Sequence, residues 1–257
     1  MINLQTEWPM YKTVQFVLYI VSIFFVLGGG AKPASAEQLV LYAVNYPPYE
    51  IEEPEKDGLL GFDVDVVIES FARSGIDAVV SFMPWKRIML LGEGGEIAGA
   101  VSCAYQKKRE RYFYFTDPIS TSTHSYVYTD RYRGKPLKSV EDADGLKVVV
   151  VSGYSSEAEL KRAGVNYETT NTDNHAISLL LERSYDLFYS TREFMEYQAK
   201  KGGYSDRIGF FDLRKLQYHL CLSRMWPESE KLVRQFNKGL AEIKADGTYD
   251  RIHEKYR

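Results

Sequence analysis

Cysteine and histidine are scarce in this chain, at two and four residues out of 257. A single pair, Cys103 and Cys221, is too small to define a disulfide scaffold, and with nothing to indicate their separation they are expected as two buried small apolar residues in preference to a bridge. The histidines, His124, His175, His219 and His253, show no spacing for a metal site or a catalytic triad, so neither a metal nor a cofactor is expected. An excess of positive charge is also lacking. Lys and Arg total 32 against 35 Asp and Glu, a formal charge of −3, so nothing global attracts a polyphosphate, and a nucleic-acid partner is excluded.

Long apolar runs are equally few. VQFVLYIVSIFFVL, Val14 to Leu27, follows Lys12 and precedes GGGAKPASA, in which Ala34, Ser35 and Ala36 form a small-residue cleavage pattern. The run falls short of the ~20 residues that span a bilayer. Residues 1–36 therefore read as a secretory signal peptide cleaved after Ala36. The segment ahead of Lys12 is long and contains Glu7, which leaves Met1 or Met10 as the start. No cysteine sits near the cleavage site to carry a lipid, so a free periplasmic protein is expected.

What the mature chain does have is apolar and aromatic residues, 45% and 14% of the whole, with 20 tyrosines among them. Such amphipathic rings serve as core filling and as cleft walls. From Gln38 onward, short β-rich runs alternate with amphipathic segments, as in a parallel sheet with crossover helices. QLVLYAV, DAVVSF and EIAGAVSC read as strands around the helix GFDVDVVIESFARSG and a short helix from Trp85 to about Gly92. In the first of these helices Asp63 is the expected N-cap, Val64, Val67, Ile68 and Phe71 the apolar stripe, and Gly75 the stop. The pattern repeats with the strands GLKVVVVSG, NYETT and YDLFYS. These alternate with the helices SSEAELKRAG, opened by a Ser156–Glu159 capping box, DNHAISLLLERS and TREFMEYQAKK. The tail adds the strand LQYHLCLSR, the long helix PESEKLVRQFNKGLAEIKADG and a short final helix. A strand and helix left over after the second repeat imply that the chain returns to complete the first sheet, with strand-like crossings at HSYVYTDR and on the approach to Tyr218.

Chemistry concentrates in QKKRERYFYFTDP, Gln106 to Pro118, which is either a solvated charge run or the edge of a site holding one arginine. Several other short pieces occur in a definite order: Tyr46-Pro47-Pro48-Tyr49 after the first strand, Gly61-Phe62-Asp63-Val64-Asp65 opening the first helix, then the Trp85 segment. After Arg109 to Pro118 come Gly153-Tyr154-Ser155 behind a strand, Tyr185-Asp186 before another, and Ala245-Asp246-Gly247-Thr248-Tyr249 near the C-terminus. In this order and spacing the mature chain resembles the periplasmic solute-binding proteins of family 3, the polar amino-acid type of ABC transporters.

That resemblance implies a two-lobed α/β fold of type II with two hinge crossings, lobe I being residues 37–125 plus 216–257 and lobe II residues 126–215. It implies that Arg109, six residues before Phe115, holds a ligand carboxylate, and a planar guanidinium is suited to grip one bidentately. Lys107, Lys108 and Arg111 would be solvated neighbours, with Phe113 and Phe115 in the core. Ser155 would add a hydroxyl to the same carboxylate at a helix N-terminus, where the helix dipole also favours an anion. Tyr154 adjoins it. Tyr46, Tyr49 and Trp85 would wall the cleft, and Ser102 would meet the ligand's amino group. The chain departs from the family at Thr191, where the amino-acid binders carry the carboxylate that pairs with the ammonium, and also at Gln106 and Ala43. Loss of a charge-assisted bond at Thr191 amounts to roughly 1.5–3 kcal/mol, which points to a carboxylate other than an ordinary α-amino acid or to rearranged contacts.

The expected function is therefore non-catalytic capture of a small carboxylate-bearing solute, an amino acid or a relative, by a monomer that delivers it to an ABC permease. The alternatives are a dehydratase-like enzyme on the same scaffold and a stand-alone ligand sensor. For the enzyme the candidate acids and bases are Glu50, Glu193 and the histidines. Glu193 is expected as a solvated helix residue.

Overall fold

The computed structural model describes residues 38–54, 58–182 and 185–256. The signal peptide expected over residues 1–36 lies outside them. The described strands form one sheet in the order β2-β1-β3-β8-β4-β7-β5-β6. At one end are β1 (Leu39–Ala43), β2 (Ala78–Phe82) and β3 (Gly99–Ala104), with β1 parallel to both of the others. At the other end are β5 (Val148–Val151), β6 (Tyr167–Thr170) and β7 (Leu187–Thr191), again parallel. Between them run two long strands, β4 (Phe113–Thr129) and β8 (Ile208–Ser223), of 17 and 16 residues and antiparallel to each other.

Helices cross between the parallel strands, as parallel connections require. They are α1 (Phe62–Arg73), α2 (Trp85–Gly94), α3 (Ser155–Ala163), α4 (Asp173–Glu182) and α5 (Arg192–Gly202). Two more, α6 (Ser229–Ala245) and α7 (Thr248–Glu254), follow β8. Because β8 pairs with β3 as well as with β4, the chain does return to the first part of the sheet. Val148 to Val151 are buried throughout, as expected for a strand covered on both faces, and the unbroken valine run reflects that. Helix α6 lies so close to α1 that a Cβ on Gly239 would stand 1.8 Å from the Ser70 carbonyl oxygen.

Three features differ from the expectations. The strand at HSYVYTDR is only the second part of β4, which already begins at Phe113. Pro118 and the polar run after it conceal the first part, and the ladder accommodates the proline by shifting register on both sides of it. Helix α1 is capped by the backbone of Gly61 at φ 102, a conformation that favours glycine, and Asp63 lies one residue inside the helix and is fully buried. Finally, Cys103 in β3 and Cys221 in β8 form a disulfide, with Cα atoms 5.9 Å apart across 118 residues of sequence. The antiparallel return of β8 brings together two residues whose distance in the chain says nothing about their distance in space.

A bridge closing so long a loop constrains the unfolded chain, and its removal is expected to lower stability by about 2–4 kcal/mol. Thermal melts with and without reductant check this. Reduction should lower the melting temperature of the wild type and leave that of a Cys103→Ala, Cys221→Ala variant unchanged.

Candidate functional site

The Tyr46–Glu50 turn is held on the end of β1 by reciprocal backbone bonds, Tyr46 N–H to the Glu50 carbonyl at 2.9 Å and Glu50 N–H to the Tyr46 carbonyl at 3.1 Å. It is pressed against the start of α1, where Phe62 and Asp63 donate N–H groups to the Pro48 and Tyr49 carbonyls. A Cβ on Gly61 would lie 2.3 Å from the Tyr49 oxygen, so this contact requires glycine. The turn thereby projects Tyr46 and Glu50 into a cavity of about 50 Å³, also lined by Trp85, Ser102, Arg109 and His124. That is several times the least space a single water needs.

The other wall comes from the far part of the sheet: Tyr154, Ser155 and Ser156 at the start of α3, and Ser190 and Thr191 at the end of β7. Of the residues expected at the site, Arg109, Ser155, Tyr46, Trp85, Ser102, Tyr154 and Thr191 line this one cavity. Tyr49 does not. It is fully buried behind Tyr46, its ring edge-on to Tyr218 at 5.1 Å and its hydroxyl donating to the Thr121 carbonyl at 3.3 Å.

The basic run resolves residue by residue. A short 3-10 turn, Lys107–Arg111, leaves Lys107, Lys108 and Arg111 exposed and turns Arg109 inward. The Arg109 guanidinium donates to the Ala104 carbonyl at 2.9 Å and to the Gly153 carbonyl at 3.4 Å, and it stands 5.2 Å from the centre of the Trp85 ring. No carboxylate among the described residues pairs with it. Burial lowers its pKa to about 10, with distant Glu93 acting the other way, so it remains a cation at neutral pH. Phe113 is buried, and Phe115 is half-buried, edge-on to Tyr105 and His219.

Across the cavity, the Tyr46 hydroxyl meets Thr191 Oγ1 at 2.7 Å and Ser190 Oγ at 3.3 Å, and its ring stacks on Phe194 at 4.2 Å. Thr191 is thus engaged with Tyr46. Glu193 is not a solvated residue. It accepts from Ser122 Oγ and from the N–H and hydroxyl of Thr123, pinning the start of α5 onto β4. Ser102 adopts φ 48, rare for a residue other than glycine, where the β3 register shifts against β8. It donates to Asp63 Oδ2 at 2.7 Å, as Ser120 does at 2.9 Å.

Two features at and behind the cavity are set by tertiary contacts. The Ser156–Glu159 capping box does not form: α3 begins at Ser155 after Tyr154, with no side-chain cap. Glu159 instead turns inward, accepting from His124 Nδ1 at 3.0 Å, from the Tyr189 hydroxyl at 2.6 Å, and from Arg214. Burial would raise its pKa, but these three donors outweigh it and hold the carboxyl at about 2. The other His124 nitrogen faces Ser155 Oγ at 3.4 Å. Partners this far apart in the chain leave no local spacing signal. Glu50 is the second feature, only 1% exposed at the end of a turn whose next residues, Glu52 and Glu53, are exposed acids. Among the described residues, no group of three or more His, Cys, Asp or Glu is placed to hold a metal ion.

The sequence model of the bacterial extracellular solute-binding proteins, family 3, matches residues 39–257. A probable amino-acid-binding protein of Bacillus subtilis, YxeM, is 25% identical over 256 residues, covering 95% of this chain and 94% of that protein. Among solved structures, a mutant of ArgBP from T. maritima superposes with a TM-score of 0.74 at 21% identity, covering 85% of this chain and 94% of that one. A histidine kinase sensor domain similar to periplasmic binding proteins superposes at 0.76 with 20% identity, covering 86% and 96%.

Burial raises the Asp63 carboxyl to about 7, against the opposing bonds from Ser102 and Ser120. The folded state then keeps a proton that the unfolded state, with its Asp near 3.9, has lost, so this group makes stability fall as pH rises from about 4 to about 7. Asp63→Asn should flatten that decline in urea unfolding at pH 4.5 and 7.5. An unchanged difference between the two pH values would contradict the assignment.

Proposed function

Because the chain belongs to the bacterial extracellular solute-binding proteins of family 3, we propose that it captures a small carboxylate-bearing solute, an amino acid or a relative of one, around Arg109 for delivery to an ABC-type importer. The observation that carries this reading is the buried guanidinium, 6% exposed, with carbonyls but no anion beside it. A buried cation without a counter-charge is costly, and a ligand carboxylate supplies the missing charge bidentately. Ser155 faces it from the start of α3, where the first N–H groups of a helix have no intrahelical acceptors and the dipole favours an anion.

The two walls then act as lobes. Residues 37–125 with 216–257 form lobe I, residues 126–215 form lobe II, and β4 and β8 are the crossings. Solute held by Arg109 on lobe I would draw Ser155 and Thr191 of lobe II onto it, since closure is driven by contacts made only in the closed form. The Tyr46–Thr191 and Arg109–Gly153 bonds belong to that closed form. In this reading the protein acts as a monomer in the periplasm, after cleavage near Ala36, and a membrane permease recognises the closed lobes.

An enzyme on this scaffold has one observation behind it. Ser155, His124 and Glu159 follow one another as hydroxyl, imidazole and carboxylate, the order of an acyl-transfer triad. The same serine, however, lies at an anion-binding helix end opposite Arg109, which suits capture. Hydrolysis of an amino-acid ester by the wild type, abolished in Ser155→Ala, would reverse this ranking.

Thermal-shift screening of the mature protein against amino acids, other small carboxylates and amines identifies the solute, because a ligand bound only to the native state raises the melting temperature. Arg109→Ala should then weaken its binding about 100-fold, the loss of two charge-assisted hydrogen bonds, with the circular dichroism spectrum unchanged. Equal affinity in the variant would remove Arg109 from the site.

A further inference from the structure

We propose that Glu50 receives the solute's ammonium group, in place of the acid that the resemblance leads one to expect at Thr191. The inference rests on the reading of Arg109 as the carboxylate anchor and adds the second half of the recognition. Three observations carry it. Among the described residues lining the cavity, Glu50 alone has a carboxyl group. It is 1% exposed, yet its Oε1 has no hydrogen-bond partner. The position at which the resemblance leads one to expect an acid is Thr191, whose hydroxyl is already engaged by Tyr46 at 2.7 Å.

A buried acceptor left unpaired is unfavourable, and an ammonium with three donors supplies what Oε1 lacks. Arg109 and Glu50 then provide one cation and one acid in the same cavity, the complement of a zwitterion. Ser102, on the β3 bend at φ 48, adjoins Glu50 as a hydroxyl partner.

The charge state follows from the surroundings. Burial first, and then the Asp63 carboxyl from α1, push the Glu50 carboxyl well above its usual range. Tyr218 from β8, Tyr154 ahead of α3 and Tyr46 in its own turn also face the cavity as phenols, with Arg109 and His124 completing the titratable lining. Both effects, burial and the Asp63 carboxyl, favour the neutral acid over the carboxylate. An entering ammonium favours its ionised form. The carboxylic acid plus the ammonium become a carboxylate–ammonium pair, and the displaced proton leaves to solvent.

The test is titration calorimetry of the mature protein at pH 7 with each of the twenty L-amino acids, L-cystine and two amine-free acids, succinate and 2-oxoglutarate, in phosphate and in Tris. For an amino acid that binds, the expected result is an enthalpy that differs between the buffers, reporting proton release. Glu50→Gln should bind it roughly 10- to 100-fold more weakly, without the buffer dependence. The variant's melting temperature in the absence of ligand should match the wild type, since glutamine has the shape of the neutral acid. Unchanged affinity and unchanged proton release in Glu50→Gln would overturn the role of Glu50 and leave Arg109 untouched. Binding of succinate or 2-oxoglutarate with no amino acid bound would likewise overturn the amine assignment alone, whereas binding of neither class would overturn both readings. Should Glu50→Gln fail to fold, the wild type decides: equal affinity for the bound amino acid and for its N-acetyl derivative, which has no ammonium, refutes the proposal.

Discussion

The antiparallel ladder between β4 and β8 is the constraint on which the other parts of the molecule depend. It runs from Phe113 opposite Ser223 to Thr129 opposite Ile208, and parallel strands attach to both of its sides. Everything at the cavity is placed by reference to it. Arg109 is in the turn just before β4, His124 lies within β4, Tyr218 lies within β8, and β3 and β7 bring Ser102 and Thr191 from opposite flanks. The ladder is irregular around Pro118 and again between His124 and Ser125. Such breaks loosen a strand pair locally and increase its twist, and the second falls beside the cavity. The Cys103–Cys221 disulfide ties β3 to β8 on the side that carries Arg109.

Around the cavity, most buried polar groups are matched within the protein. Glu159 takes three donors, Glu193 binds β4 through two residues, and Asp63 holds two serines. Among the described residues, the groups without full matching include Arg109, which has carbonyls but no counter-charge, and Glu50 Oε1, Trp85 Nε1 and Asp63 Oδ1, which have no hydrogen-bond partner. Interior groups of this kind are expensive unless something satisfies them. In the function proposed above, Arg109 and Glu50 turn that expense into recognition, because the ligand provides what the protein withholds. Rigid neighbours sharpen it: Trp85 lies beside the guanidinium, and Tyr46 is locked between Phe194 and Thr191.

The secondary structure was legible where one face of an element is apolar and its ends carry turn residues. Helix α1 with Val64, Val67 and Phe71 buried, and the Val148–Val151 strand, appear where their patterns put them. Side-chain roles that depend on a distant partner were not legible. Asp63 reads as a cap and is a buried acceptor for serines in β3 and β4; Glu159 reads as half of a capping box and binds His124 instead. In both cases the local rule identified a polar residue near a helix start. The tertiary partner, more than 30 residues away, decided where its oxygens point.

By itself, the sequence determined the alternation of strand and helix and the return of the last strand to the first part of the sheet, while its resemblance to family 3 set Arg109 apart from three neighbouring cations. Periodicity and turn chemistry are local, and the chain carries them without folding. The tertiary structure alone decided that Cys103 meets Cys221, that Tyr49 stays behind the cavity wall, and that Glu50 lies inside it with an unpaired oxygen. Those outcomes depend on which segments the β4–β8 ladder brings together, and on how far burial strips water from the groups it encloses.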